Sequence, residues 1–300
     1  MFRYSQYMFS GLVDFINIYI QMKKIVYILL SVIFLLSSCG ENEPPMPIPQ
    51  IPMHLLDDCF RSYLVKNFDK NKDEIISVEE AELVKEIICP NGGIRSLAGI
   101  WYFPNLEKLD CSRNPLKIID LSQNQALKFL DCTSCLISEL DISNNPVLEV
   151  LICRGAWDSK LQTLKLNPDS KLKKLDIVGH VMYSLDFRGH KHLKELYCGG
   201  YTFGGENLLT LDVSDSVLEI LDCSNAFKLA SVNIDRCTSL KKIICGFIPL
   251  DLSSCINLEY LSIGGIQSLD LSKCPLLKTL HCSYSILPNL DLTNNTALED

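Results

Sequence analysis

The chain repeats one short phrase: Leu109-Asp-Cys-Ser-Arg-Asn114, Leu130-Asp-Cys132, Leu151-Ile-Cys153, Leu196-Tyr-Cys198, Leu221-Asp-Cys223, Ile243-Ile-Cys245 and Leu280-His-Cys282. A second phrase alternates with it: Ile119-Asp-Leu-Ser-Gln-Asn124, Leu140-Asp-Ile-Ser-Asn-Asn145, Leu211-Asp-Val213, Leu250-Asp-Leu-Ser-Ser-Cys255, Leu269-Asp-Leu-Ser-Lys-Cys274 and Leu290-Asp-Leu-Thr-Asn-Asn295. In an extended segment alternate residues face one side, so each phrase reads as a short strand with its apolar residues inward and its Asp outward. The pair returns about every 21 residues, which leaves no room for a proper helix between the strands and predicts strands, turns and at most short 3-10 pieces.

The spacing L-x-x-L-x-L-x-x-[N/C] at this period predicts a leucine-rich-repeat solenoid: mostly short parallel β-strands and turns, about nine coils of about 21 residues, with a small helix-loop-helix N-terminal cap. Each coil of such a fold touches only its neighbours, so 300 residues with 47% hydrophobic content do not imply two globular domains. The repeat also explains most of the 14 cysteines without a disulfide. Cys111, Cys132, Cys153, Cys198, Cys223, Cys245 and Cys282 stand in the first-strand column. Cys237, Cys255 and Cys274 take the place that Asn124, Asn145 and Asn295 hold after the second strand. This ladder position is expected to bond turn backbone groups that would otherwise be buried unpaired, with Asp169 and Ser216 as further occupants. Cys135 stands where Asn114 does one coil earlier, so Cys132-Thr-Ser-Cys135 points into the core rather than forming a redox or zinc motif. Only Cys59 and Cys89 lack a repeat role, and a bridge between them closing the cap stays open.

Coil lengths locate a variable edge. From second strand to next first strand the step is 11 residues almost throughout; from first to second it runs from 7 (Ile243 to Leu250) to 15 (Leu196 to Leu211). Insertions on one face often mark a binding face. The longest two bring Trp157 and Tyr201-Thr-Phe203, which either serve recognition or cap local gaps; with Tyr183 they are the candidate ligand-contacting aromatics. Outward Asp120, Asp141, Asp186, Asp212, Asp251, Asp270 and Asp291 stack as like charges, a destabilising column unless hydrogen bonds from neighbouring Ser or Thr, or cations, relieve it.

Apolar spacing predicts helices over Cys59–Phe68 and Val78–Ile88, flanking Asp69-Lys-Asn71-Lys-Asp73-Glu-Ile75-Ile76-Ser77-Val-Glu79-Glu80. Asp69, Asn71, Asp73, the Ile75 carbonyl, Ser77 and Glu80 fall at positions 1, 3, 5, 7, 9 and 12 of an EF-hand calcium loop. Glu74 replaces the glycine of position 6, where φ is positive, at a cost on the order of 1–2 kcal/mol. The segment is either a Ca²⁺ site or a cap that keeps the ligand pattern without the metal.

At the N-terminus, Lys23-Lys24, the apolar run Ile25 to Leu36 and Leu36-Ser-Ser-Cys39 resemble a bacterial lipoprotein signal, with Cys39 the lipidated first residue. The apolar run is shorter than the ~20 residues of a membrane-spanning helix. Met22 then reads as the true start and residues 1–21 as an over-extended frame or an extra membrane-associated segment. Without residues 1–38 the chain keeps 25 basic and 35 acidic residues, a formal charge of −10, which argues against nucleic acid and anionic lipid as partners. The resulting organisation is a signal segment (1–38, its lipoprotein part 22–38), a lipidated Pro-rich tether (39–55), an EF-hand-like helical cap (56–88) and the solenoid (89–300). The sequence ends at Leu298-Glu-Asp300, midway through a coil, and the expectation is an uncapped end: either a truncated product or a last coil that frays.

The helix, the EF-like loop and Ile94-x-Ser-Leu-Ala-Gly-Ile-Trp-Tyr-Phe-Pro-Asn-Leu106 leading into Leu-Asp-Cys and Leu-Asp-Leu-Ser-x-Asn coils resemble the exported leucine-rich-repeat lipoproteins of Gram-negative, gut-type bacteria, over about residues 57–300; internalin-like proteins are more distant. That resemblance implies a non-enzymatic outer-membrane lipoprotein, displayed at the cell surface, that adheres to or binds a protein ligand. The alternative is a glycan-binding or glycan-uptake accessory, calcium-dependent or not. His180, His190 and His192 are the clustered histidines, but His180 and His190 fall in ladder positions. No Gly-x-Ser-x-Gly, phosphate loop or His-Glu-x-x-His occurs. Aligned aromatics would favour a glycan; scattered rings amid mixed polar groups would favour a protein.

Overall fold

The computed structural model describes residues 50–156, 161–167, 169–200 and 208–299, all within the compact unit Ile48–Asp300. Cys39, Trp157, Tyr201 and Phe203 lie outside the described residues. The first-strand phrases build one parallel sheet of ten strands: β1 (Glu86–Ile88), β2 (Lys108–Asp110), β3 (Phe129–Asp131), β5 (Val150–Ile152), β7 (Lys174–Asp176), β9 (Glu195–Tyr197), β11 (Ile220–Cys223), β13 (Lys242–Cys245), β14 (Tyr260–Ser262) and β15 (Thr279–His281). Its register stacks like on like: Leu109 on Leu130, Leu130 on Leu151, and so on through Leu196, Leu221 and Ile243. These residues are fully buried. Each contributes up to about 1.5–3 kcal/mol against a fully exposed reference.

The second-strand phrases form regular ladders only in the middle of the solenoid. β4 (Glu139–Asp141) pairs with β6 (Thr163–Lys165), and β8 (Ser184–Asp186), β10 (Thr210–Asp212) and β12 (Ser231–Asn233) form a three-stranded sheet. The expectation of two strands in every coil fails at Ile119, Leu250, Leu269 and Leu290, which lie outside any strand. At Leu250 and Leu269 the chain has only 7 and 8 residues from the preceding first strand, too few to turn and then run extended.

A charge column runs beside the ten-stranded sheet. Two residues before each inward Leu or Ile stand Lys85, Glu107, Lys128, Glu149, Lys173, Lys194, Glu219, Lys241, Glu259 and Lys278, alternating in sign except at Lys173–Lys194. Glu107 is paired with Lys85 at 3.2 Å and Lys128 at 2.5 Å. Glu149 meets Lys173 at 2.8 Å, Glu219 meets Lys194 at 2.7 Å and Lys241 at 2.8 Å, and Glu259 meets Lys278 at 2.6 Å.

The cap begins with α1 (Asp58–Phe68), where Asp57 Oδ1 accepts from Cys59 N and Phe60 N, both at 3.0 Å. Phe60 and Leu64 of α1 are buried, joining Ile76, Ala81, Ile87 and Phe103 in the core. The second predicted helix is much shorter than Val78–Ile88: α2 spans only Val78–Glu82. Past it, Glu86, Ile87 and Ile88 alternate exposed, buried, exposed, the period of a strand, and β1 pairs with β2. The sheet therefore starts inside the segment read as cap. Cys59 and Cys89 are not bridged: Cys59 is an exposed thiol on the first turn of α1, whereas Cys89 is buried just past β1. No described helix is long and apolar enough to cross a membrane.

Candidate functional site

The ladder residues point inward and bond backbone. Asn124 Nδ2 donates to Ile100 O and Phe103 O, both at 3.0 Å. Asn145 Nδ2 reaches Leu121 O at 3.0 Å and Asn124 O at 2.9 Å, and Asn295 Nδ2 reaches Leu271 O at 3.1 Å and Cys274 O at 2.8 Å. Where Cys stands instead, one weaker S–H bond serves: Cys237 Sγ to Val213 O at 3.0 Å and Cys274 Sγ to Leu252 O at 4.0 Å. Cys111, Cys132, Cys153, Cys198, Cys223, Cys245, Cys255 and Cys135 are buried, and Cys282, in the last described coil, is half-buried. Asp169 departs from its expected place. It is exposed, neighbouring Ser170 is buried instead, and the bond to the preceding coil comes from Asn167 Nδ2 to Ser143 O at 2.8 Å.

His180 is a ladder residue as well. Leu161 N donates to its Nδ1 at 3.0 Å, and its Nε2 lies 2.6 Å from Cys153 O. Those partners assign the proton to Nε2, the same give-and-take that Asn114 performs with Cys89 O at 2.8 Å and Ile94 N at 3.0 Å. Cys153 Sγ lies 3.7 Å from His180 Nε2, but a ring held by two backbone groups has no nitrogen left to act as a base.

The outward Asp column is relieved by hydrogen bonds. Ser122 N, Ser143 N, Ser214 N, Ser253 N, Ser272 N and Thr293 N donate to Asp120, Asp141, Asp212, Asp251, Asp270 and Asp291 at 2.9–3.0 Å. Arg188 clamps Asp186 through Nε at 2.9 Å and Nη2 at 2.6 Å. The Ser143 hydroxyl and Lys165 hold Asp141 below the usual carboxylate range, and Arg188 does the same for Asp186.

In the cap loop, Lys72 and Glu74 have φ of 63° and 64°, so the loop bends at the position where the pattern wants glycine. Asp69 accepts from Lys72 N at 2.6 Å and Glu74 N at 2.9 Å, and Asp73 accepts from Ile75 N at 2.9 Å. Asn71 Oδ1 accepts from Asp73 N at 3.0 Å. Glu80 closes the loop on itself, taking Lys70 N at 2.8 Å on Oε1 and Ser77 N at 2.9 Å on Oε2, while Ser77 Oγ caps α2 by accepting Glu80 N at 3.1 Å. Burial would raise the Glu80 carboxyl, but the bonds from Ser77 and Lys70 outweigh it and hold the group below its ordinary pKa. Among the described residues no three His, Cys, Asp or Glu side chains converge as a ready-made metal site. The donor set and the bend suit Ca²⁺, and a carboxylate oxygen that accepts one loop amide keeps a second lone pair with which to hold an ion.

Tyr183 is 66% exposed and precedes β8, on the second-strand side. The aromatics that reasoning from insertions missed stand on the solvent face of the ten-stranded sheet. Phe129, Tyr197 and Tyr260 are half-buried there. Lys108 Nζ lies 5.5 Å from the Phe129 ring centre, and Lys174 and Lys242 Nζ each lie 4.9 Å from those of Tyr197 and Tyr260. They occupy the positions flanking the inward Leu, so writing the coils under one another would have shown them. At the ends of β1, β2, β3, β5 and β7 a cavity of about 560 Å³ opens between Arg113, Thr133, Arg154, Lys174 and Asp176. Asp176, 2% exposed, takes Arg154 Nε at 2.8 Å and Nη2 at 2.6 Å. On the variable edge, Phe227 and Phe247, each 56% exposed, lie with ring centres 6.3 Å apart. A Cβ at Gly265, whose φ is +62°, would sit 2.0 Å from Phe247 Cδ1; the ring can rest there only over glycine.

No family model and no curated protein matches the chain. Among solved structures it is similar to internalin C2 of Listeria monocytogenes, with 13% identity over 87% of this chain and 98% of that one and a TM-score of 0.44. It is also similar to the internalin InlF of the same organism, with 18% identity over 81% and 86% and a TM-score of 0.39. A leucine-rich-repeat protein of Leptospira interrogans follows, with 17% identity over 74% and 78% and a TM-score of 0.37. Likeness at this level carries nothing about what the chain does. The fold rests on its own strand register and ladders, which are those of a leucine-rich-repeat solenoid.

Proposed function

We propose that the chain is a non-enzymatic binding protein that engages a protein ligand through the solvent face of the ten-stranded sheet. The observation that carries this reading is the make-up of that face. Phe129, Tyr197 and Tyr260, each beside a lysine, follow one another across the sheet with two strands between successive rings, and are interspersed with Val150, Ile152, Ile220, Ile244 and charged residues. Aromatic anchors set in mixed polar surroundings are the composition of protein interfaces; a sugar chain would want contiguous rings. The test is an array of purified extracellular proteins probed with the full chain and with Phe129→Ala, Tyr197→Ala and Tyr260→Ala. A partner bound at least about tenfold more weakly by one variant supports the reading; a partner bound equally by all three overturns it.

One observation favours a glycan as the second reading: the Phe227–Phe247 pair offers two neighbouring half-exposed rings. A glycan array on which signal disappears with Phe247→Ala would select it. Two further assignments belong to the same proposal. Cys39 carries a lipid that anchors the chain in the outer membrane with the solenoid on the cell surface, which the lipoprotein-like signal supports; Cys39→Ala would release it to the soluble fraction. Asp69, Asn71, Asp73, Ile75, Ser77 and Glu80 hold Ca²⁺, supported by the donor spacing and the bend at Glu74. Calorimetric titration should show saturable heat that Glu80→Gln removes; no heat with either protein contradicts it.

A further inference from the structure

Most described strand pairs of the ten-stranded sheet end one residue before the ladder cysteine. In β11 and β13 the pairing runs one residue further, so Cys223 and Cys245 are direct partners in register. Their sulfurs lie 3.0 Å apart. Cys223 Sγ also reaches Ile244 O at 3.6 Å, as Cys111 Sγ in the same column reaches Asp131 O at 3.5 Å, but its approach to the Cys245 sulfur is the shorter contact. Neighbouring parallel strands hold their Cα atoms about 4.8 Å apart, inside the window that a disulfide accepts, and the sulfurs must close by only about 1 Å to reach bonding distance.

We propose that Cys223 and Cys245 form a disulfide that staples two adjacent coils when the chain folds under oxidising conditions. The oxidant is a small-molecule or protein disulfide. The thiolate of one cysteine attacks it, forming a mixed disulfide and expelling one thiol. The second cysteine then displaces the other half, so two protons and two electrons leave the pair and the oxidant departs as two thiols. Both cysteines are buried, Cys223 at 0% and Cys245 at 5% exposure, so the exchange happens while the coils are still closing rather than on the finished solenoid. Cys223 stands four residues before Phe227 and Cys245 two before Phe247, so the bond pins the bases of both turns that carry the exposed ring pair.

The test is refolding of the full chain from denaturant, once with glutathione disulfide and once with a reducing thiol, followed by alkylation of free thiols and non-reducing peptide mapping with fragmentation. Cys59→Ser serves as the background, since Cys59 is the exposed thiol among the described residues and would otherwise shuffle. The expected result is a cross-linked peptide joining Cys223 to Cys245, lighter by two hydrogens than the reduced pair, in the oxidised sample only. Recovery of both residues alkylated from natively folded oxidised protein, or pairing of either with Cys198 or Cys237, overturns the proposal. The array experiments are run on reduced protein, so that failure of the staple and failure of the binding reading are read separately.

Discussion

At the scale of the residue, Asn and Cys alternate in the ladder because each offers a donor to buried turn carbonyls, by two bonds or by one weaker one. Asn124, Asn145 and Asn295 donate twice to turn carbonyls, yet their Oδ1 atoms are buried without a partner. Cys makes one weak bond and buries no orphan acceptor. Asn124→Ala removes both donors from Ile100 O and Phe103 O and should cost about 2–3 kcal/mol in urea unfolding, whereas Asn124→Cys should cost about half of that. The Asp column makes a pH prediction. The hydrogen bonds to Asp141, Asp186, Asp212, Asp251, Asp270 and Asp291 lower their pKa values. Each binds its proton more weakly folded than unfolded, so its contribution is fully present above the unfolded value of about 4 and is lost as pH falls through the folded one. The urea midpoint should therefore be flat from pH 7 to about 5 and drop steadily below about 4. Lys194 and Lys241 on either side hold the Glu219 carboxyl down to about 2, as carboxyl NMR would show.

At the scale of the element, strand register is set twice: by the buried Leu column and by the charge column next to it. Single exposed ion pairs are worth little, but an alternating row penalises any slip that would put like charges side by side. Glu219→Lys would leave four lysines at consecutive positions from Lys173 to Lys241. It should lower stability by about 1 kcal/mol at low salt, with most of the loss recovered at high salt. Short elements also explain what the sequence made legible. The Leu-x-Cys strands, α1 and the ladder positions could be read because one residue type recurs at one spacing. The helix expected over Val78–Ile88 could not, because its apolar residues suit both periods and only the availability of β2 as a partner makes Glu86–Ile88 a strand. Asp169 was misplaced because the ladder donor of that coil comes two residues earlier, from Asn167. Exposed aromatics were sought in insertions, of which Trp157, Tyr201 and Phe203 lie outside the described residues, whereas Phe129, Tyr197 and Tyr260 sit at the ordinary outward positions of strands.

At the scale of the whole molecule, the solenoid has no centre: stability is a sum of coils and the contacts between neighbours. Leu196→Ala, deep in the middle of the sheet, should cost about 2–5 kcal/mol and split unfolding into two transitions visible by calorimetry, with the coils on either side melting separately. Whether the ten-stranded sheet face recognises a protein is tested most directly by hydroxyl-radical footprinting of the full chain, free and saturated with an array-identified partner. Tyr183, exposed on the opposite strands, is the internal control. The account predicts that oxidation of Phe129, Tyr197 and Tyr260 falls on binding while that of Tyr183 is unchanged; protection of Tyr183 with the three sheet rings unaffected would contradict it.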